Sequence, residues 1–359
     1  MAQPTLSDLH VNALLTNLSL MYSQEQSAFV ARDVFPIIPV PNISDRYVVY
    51  SRADFNRNQM RKRAPSTQVA KAGYRVDTAP TYLCDVWALG HDIDDQVRGN
   101  ADNIFNLDLE ATRLLTNQSL INREIAWAST FFTTGVWSNL WTGGTAASAA
   151  YPTAPATSTA SAYTALKWTD PASTPITDIR TLKRMVQMTT GYRPNKMVIA
   201  RPVFDALCDH PDFVDRIKYG QTPGRPAQVT LDALAAIFEM EKVHVMDAIY
   251  NSSGEVAGVD SGATYAAPSY NAGVNAGETN AFIAGNHVWI GYTPSAPGVQ
   301  TPGCGYTFAW TGYFGASAAG ERLSSYYFQP TRSTVVEIES AYVHKAVCPD
   351  MGGIIVAVV

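Results

Sequence analysis

The chain has 359 residues, 46% of them hydrophobic and 16% charged, and a formal net charge of -5. That is ample apolar material for a globular protein of one large or two interleaved domains. No basic leader precedes the apolar "VNALLTNLSL", the first basic residue being Arg32, and no run of about 20 apolar residues is long enough for a membrane span. A soluble protein, intracellular when made, is the expectation. Cys84, Cys208, Cys304 and Cys348 lie far apart without a CxxC pair, which fits neither a disulfide framework nor a zinc site and suits reduced, mostly core cysteines.

Residues 1–45 read as an arm. A short helical pattern (Leu6, Leu9, Leu14, Leu18) precedes "VFPIIPVPN", where Pro36, Pro39 and Pro41 enforce extended backbone. "RYVVY" at 46–50 and "TYLCDVWAL" at 81–89 read as two strands of a long hairpin. Between them, residues 52–75 hold seven Arg or Lys against Asp54 alone, whereas residues 76–110 hold eight acids against Arg98 alone. Such opposite segments bind nucleic acid through the basic run, satisfy it internally, leave it solvated, or offer it to another copy of the chain. With only Phe55 and Tyr74 there to stack on bases, a protein partner is the favoured reading.

The strongest periodicity covers 104–132. Ile104, Leu107, Ala111, Leu114, Ile121, Ile125, Ala128 and Phe132 recur at spacings compatible with one apolar face, with Gln118 the polar exception. The spacing predicts one helix of roughly 40 Å, started by Asn100 or Asp102, rather than a sustained coiled coil. Residues 142–165 and 252–280 are low in complexity and read as exposed insertions. Between them the expected order is α/β: a helix from Ile176 to a stop at Gly191, the strand "PNKMVIA", a helix opened by Pro202, a helix capped by Thr230, then "KVHVMDAIY" as a strand. From 281 the pattern turns to β, in "AFIAGNHVWIGY", "GYTFAW", "STVVEIESAYVHKAV" and "GGIIVAVV".

No GxSxG, GxxxxGK[ST], HExxH or GxGxxG occurs, and the six histidines fall on separate elements. "HDIDD", with His91, Asp92, Asp94 and Asp95, is the best candidate for chemistry and the basis of an alternative reading as a soluble hydrolase. It fails as a calcium loop, because Gln96 and Val97 stand where an oxygen ligand and a glycine belong. "CDHPD" at 208–212 reads as a helix-breaking turn rather than a Cys-His nucleophile pair. No cofactor, metal or catalytic residue is assigned.

The ordered set "VARDVFPIIPVPN", "DRYVVYSR" to "LCDVWALGHDID", "NLDLEATRLLTNQSLINREIAWA", "LKWTDPASTPITDI", "GYRPNKMVIARPVFDAL" and "HPDFVDRIKYG" resembles the major capsid protein of tailed bacteriophages, from about residue 28 to the end. The resemblance implies an α+β fold with an N-terminal arm (1–45), an extended loop (46–85), a peripheral domain (86–189) with a spine helix at 101–135, an axial domain (190–310) and return strands (311–359). It implies self-assembly into hexamers and pentamers around double-stranded DNA without sequence-specific binding, and a separate scaffolding protein, a portal and a decoration protein as further partners. A bacterial nanocompartment shell of the same fold is the alternative. The loop would lie over a neighbouring subunit, offering Arg57, Arg61, Lys62, Arg63, Lys71 and Arg75 to acids among Asp92, Asp94, Asp95, Asp102, Asp108 and Glu110. The spine core would be Ile104, Leu107, Leu114, Ile121, Ile125 and Phe132. No motif selects Lys62 or Lys71 for the crosslinking of some relatives.

Overall fold

The computed structural model describes residues 24–101, 106–154, 163–220, 229–252, 280–298, 301–312 and 319–359. The leucine pattern of residues 6–18, Asp102, Ile104 and most of the stretch 252–280 lie outside the described residues.

A 3-10 turn at Gln26–Ala28 leads to the single-turn helix α1 (Ala31–Val34) and the extended strand β1 (Ile37–Val40). The hairpin follows as β2 (Ser44–Arg46), β3 (Val49–Tyr50), the helical turn α2 (Arg52–Phe55), β4 (Val76–Asp77) and β5 (Thr81–Leu83), with β2 paired to β5 and β3 to β4. Its ladder is confined to the root. Next come β6 (Asp85–Asp94), α3 (Asp95–Asn100) and the long helix α4 (Leu107–Phe131), whose 25 residues span roughly 37 Å. The helix starts later than the sequence suggested. Asp94 caps a separate short helix, its Oδ1 accepting from the Gln96 N–H at 2.6 Å, and Asn106 caps α4, its Oδ1 accepting from the Leu109 N–H at 3.1 Å.

The second half holds β7 (Asn139–Gly144), β8 (Tyr163–Leu166), α5 (Pro175–Thr190), β9 (Lys196–Ala200), α6 (Arg201–Asp209), α7 (Pro211–Gly220), α8 (Leu231–Phe238), β10 (Lys242–Met246), β11 (Ile249–Asn251), β12 (Asn280–Phe282), β13 (Val288–Gly291), β14 (Gly305–Trp310), β15 (Glu321–Phe328), β16 (Ser333–Ala346) and β17 (Gly352–Val356). The predicted stops and caps are present. Gly191 ends α5 with φ +81°, a conformation that glycine adopts without a Cβ penalty, and the Thr230 hydroxyl accepts from the Ala233 N–H at 3.3 Å.

Two sheets organise the chain. One has the order β10-β9-β13-β17-β7-β8, and the other is built on β16, which pairs with β6, β14 and β15, while β1 runs parallel to β14. The first sheet takes strands from 139–144, 163–166 and 352–356, so the sheets cross the residue boundaries drawn from the sequence. Trp141 on β7 and Tyr163 on β8 are buried, so the ends of the stretch read as an exposed insertion are sheet instead. The second end lacks charge because Tyr163 and Ala165 are core, and the first, 142–144, is half-buried. A single aromatic-rich core joins Phe35 of the arm to Trp127 and Phe131 of α4 and to Trp137 and Trp289. Phe35 meets Phe131 edge-on at 4.7 Å and Trp289 at 5.3 Å, within the usual range for aromatic pairs.

The apolar face of α4 needs correction. Leu114 and Ile125 are 46% and 36% exposed, Ile121 is half-buried, and Leu107 is half-buried against the sheet; of the expected face in the described residues only Ala111, Ala128 and Phe132 are buried. The buried side chains are Ala111 and Leu115, then Arg123, Glu124, Trp127, Ala128 and Phe131. At 3.6 residues per turn the first pair points nearly opposite to Glu124, Trp127 and Phe131. The buried side changes because the first half rests on β6 and β16 and the second half on α1 and the main core. The predicted stripe lies between the two faces.

Candidate interaction surface

The loop is held at its root and free beyond it. Arg75 donates through Nε to Asp54 Oδ2 at 3.0 Å and through its backbone N–H to the same oxygen at 3.0 Å, so the loop's one acid is used by one of its own bases. The Arg75 guanidinium holds the Asp54 carboxyl down at about 2. Beside this clamp Tyr50, Phe55 and Tyr74 meet with centroids 5.8 to 6.1 Å apart, all three exposed. Arg52 donates to Asp350, tying the root to the turn before β17.

Residues 60–79 are exposed throughout, and Met60 is 91% exposed. Among the described residues no carboxylate lies within ion-pair distance of Arg57, Arg61, Lys62, Arg63 or Lys71; Arg63 donates only to the Thr67 carbonyl, at 2.8 Å. Among the described residues, five of the six loop bases named from the sequence therefore pair with no acid, and the sixth, Arg75, has Asp54.

The acids expected to face them have different surroundings. Asp108 is paired to Arg98 at 2.7 Å, Asp95 accepts from the Tyr327 hydroxyl at 2.8 Å, and Asp94 is a helix cap. Asp92 is exposed and Glu110 half-buried. In β6 His91 pairs with Val336 and Asp92 with Val335, so alternation turns His91 to the face opposite Asp92 and Asp94, while Asp95 already belongs to α3. Among the described residues no group of three or more His, Cys, Asp or Glu is placed to hold a metal ion. Cys84 and Cys304 are buried, Cys208 and Cys348 half-buried, and burial pushes the Cys84 thiol up to about 11.

Sequence reasoning missed a charged joint where the arm crosses α4. Glu124 is fully buried, and its two oxygens accept from the Val30 and Ala31 N–H groups at 3.0 and 2.9 Å, which caps α1. Burial pushes its carboxyl up to about 7 against the opposing pull of those two donors. Arg123, 2% exposed, donates to Glu321 at 2.7 Å and lies 4.4 Å from the Tyr342 ring centre, and Arg32 of the arm donates to the same Glu321. Arg123 and Glu124 side by side, just before the apolar "IAWA" of the helix, were the available signal. Between arm, α4 and β15 lies a cleft of about 480 Å³ lined by Phe29, Arg32, Leu120, Leu323 and Ile338.

No protein-family model matches the chain. It is 25% identical over 244 residues, 67% of its length and 70% of the other's, to the major capsid protein of Burkholderia phage BcepMu. Among solved structures it resembles a phage-related protein from Bordetella bronchiseptica RB50, with TM-score 0.61, 18% identity and coverage of 92% and 93% of the two chains. It resembles the mature capsid of bacteriophage PhiM1 with TM-score 0.56, 12% identity and coverage of 97% and 92%. For the holo-SrpI encapsulin complex of Synechococcus elongatus PCC 7942 the values are 0.51, 9%, 99% and 95%. The fold is the α+β fold of tailed-phage capsid proteins, shared with an encapsulin.

Proposed function

We propose that this chain is the major capsid protein of a tailed phage, a structural subunit that assembles with copies of itself into hexamers and pentamers enclosing double-stranded DNA. One observation carries the reading: the fold of phage capsid proteins extends over nearly the whole chain, and the same chain is related in sequence to a phage major capsid protein. Two features support it. Among the described residues the loop bases Arg57, Arg61, Lys62, Arg63 and Lys71 pair with no carboxylate, which leaves them for acids of another copy, with Asp92 and Glu110 as candidates. The arm is locked into the core through Phe35 and Glu124, which gives assembly a rigid subunit to work with. Assembly is then collective, with many modest contacts multiplied around closed rings.

A separate scaffolding protein, a portal and a decoration protein are the further partners, the host cytoplasm is the place of assembly, and DNA is contacted without sequence readout. No helix among the described residues is long and apolar enough to cross a membrane. The test is expression with the scaffold, followed by sedimentation and electron microscopy. Hollow particles of megadalton mass are expected; a chain that stays monomeric under all such conditions and turns over a substrate overturns the reading. The likeness to an encapsulin supports a second reading, a nanocompartment shell. The absorbance ratio of the particle contents separates DNA from cargo protein.

A further inference from the structure

We propose that the open edge of β15 in one copy is completed by loop residues 68–74 of a second copy, added as a further strand of the sheet; this rests on the shell reading. The ladder registers define the vacancy. Tyr342 pairs with Asp85 of β6 and with Ala309 of β14, so those strands flank β16 on opposite sides. β15 pairs with 333–340, the stretch whose other side is taken by β6, so β15 continues the row begun by β14. The outer side of β14 is covered by β1, from Ile37 opposite Thr307 to Val40 opposite Trp310. Beside β15 the same row has no strand among the described residues.

The eight-residue edge has no proline and no bulge, its charges Glu321 and Arg322 stand at its start, and the uncharged remainder with exposed Leu323, Tyr326, Tyr327 and Phe328 invites strand addition. The complement is in the loop. Residues 68–74, "QVAKAGY", carry no proline, and their backbone makes no hydrogen bond among the described residues. They are also exposed, so the segment does not lie on its own β15. Charge agrees: among the described residues Lys71 pairs with no carboxylate, and Glu337 and Glu339 on β16, directly opposite Ser324 and Arg322 of β15, take part in no ion pair. One copy thus holds an unused row of donors and acceptors, and another holds an edge of matching length.

The experiment uses full-length chain in assembled particles. Ala70→Cys is combined in turn with Leu323→Cys, Ser324→Cys, Ser325→Cys, Tyr326→Cys and Tyr327→Cys, and each is oxidised. Facing positions of neighbouring strands bring Cα atoms to about 4.5–5.5 Å, which suits a disulfide. A ladder of chain multiples on a non-reducing gel is expected for one position or two positions on the same face, and only in assembled protein. Particles that form normally yet crosslink at none of the five positions overturn the strand addition and leave the shell reading intact. A crosslinked mass that is not a multiple of the chain overturns it as well, since the edge is then filled by another protein.

A second arm uses proline. Neighbouring residues of a strand aim their N–H groups to opposite sides, so of Ala70→Pro and Lys71→Pro one should lower particle yield at least tenfold while both leave the circular dichroism of the subunit unchanged. If both variants assemble as the parent does, the proposal fails. If the parent itself forms no particles, the shell reading fails first and the strand addition with it.

Discussion

A carboxyl taken out of water ordinarily gives up its charge unless donors hold it. Glu124 has two donors, but burial outweighs them and lifts its carboxyl from 4.5 to about 7. Between those values the folded chain binds more protons at this position than the unfolded chain does. The stabilisation from this group is therefore complete below about 4.5 and is lost as pH rises through about 7. The shift corresponds to about 3 kcal/mol. Glu124→Gln stays neutral at every pH. The expected outcome is that the stability advantage of the parent over the Gln variant shrinks by about 3 kcal/mol between pH 4.5 and 8, measured by urea unfolding of unassembled subunit. A constant difference would mean that the carboxylate stays charged where it caps α1. Arg123 contributes in another way. Its guanidinium sits over Tyr342 and is paired with Glu321, so Arg123→Met leaves an acid with one partner removed and is expected to cost about 3–5 kcal/mol in the same assay.

On the scale of elements, α4 sets a sharp comparison. Leu115 is buried between α4 and the sheet, whereas Leu114, one residue earlier, is 46% exposed. Leu115→Ala is expected to cost about 2–5 kcal/mol of subunit stability and Leu114→Ala about 0.5 kcal/mol or less. Equal losses in the two would restore the face read from the sequence. Existence and type of this helix were legible because apolar residues recur at helical spacing over more than twenty positions. Its buried side was not, since periodicity reports one average face and α4 buries two, the second carrying Arg123 and Glu124, whose burial depends on partners nearly 100 or 200 residues away. The turns were legible wherever a local residue enforces them, as Gly191 and Thr230 do. β15 was missed because "ERLSSYYF" has no clean alternation. At an open edge, exposed side chains stand on both faces, and the pattern that burial would impose is absent. The basic character of the loop was plain in the sequence, but the Asp54 clamp was not, because the hairpin root is what brings Arg75 back beside that acid.

For the whole molecule, the distribution of charge separates what the subunit settles for itself from what it leaves to assembly. Arg32, Arg52, Arg75, Arg98 and Arg123 have acids within the chain and belong to folding. Among the described residues Arg61, Lys62 and Arg63 have none, so reversing their charges disturbs no ion pair there. The triple variant Arg61→Glu, Lys62→Glu, Arg63→Glu is expected to fold with unchanged circular dichroism and to fail in assembly, because like charges then meet at the contact between copies. Salt discriminates further. Exposed pairs are screened beyond about 10 Å at 0.1 M, so raising ionic strength should weaken parent assembly and partly relieve the triple variant. If the bases instead served the packaged DNA, empty shells would form normally and only genome retention would fall; if they were merely solvated, neither step would change. Sedimentation of the variant beside the parent, at two salt concentrations, decides among the three, and native-like shells from the triple variant would remove this stretch from the contact between subunits.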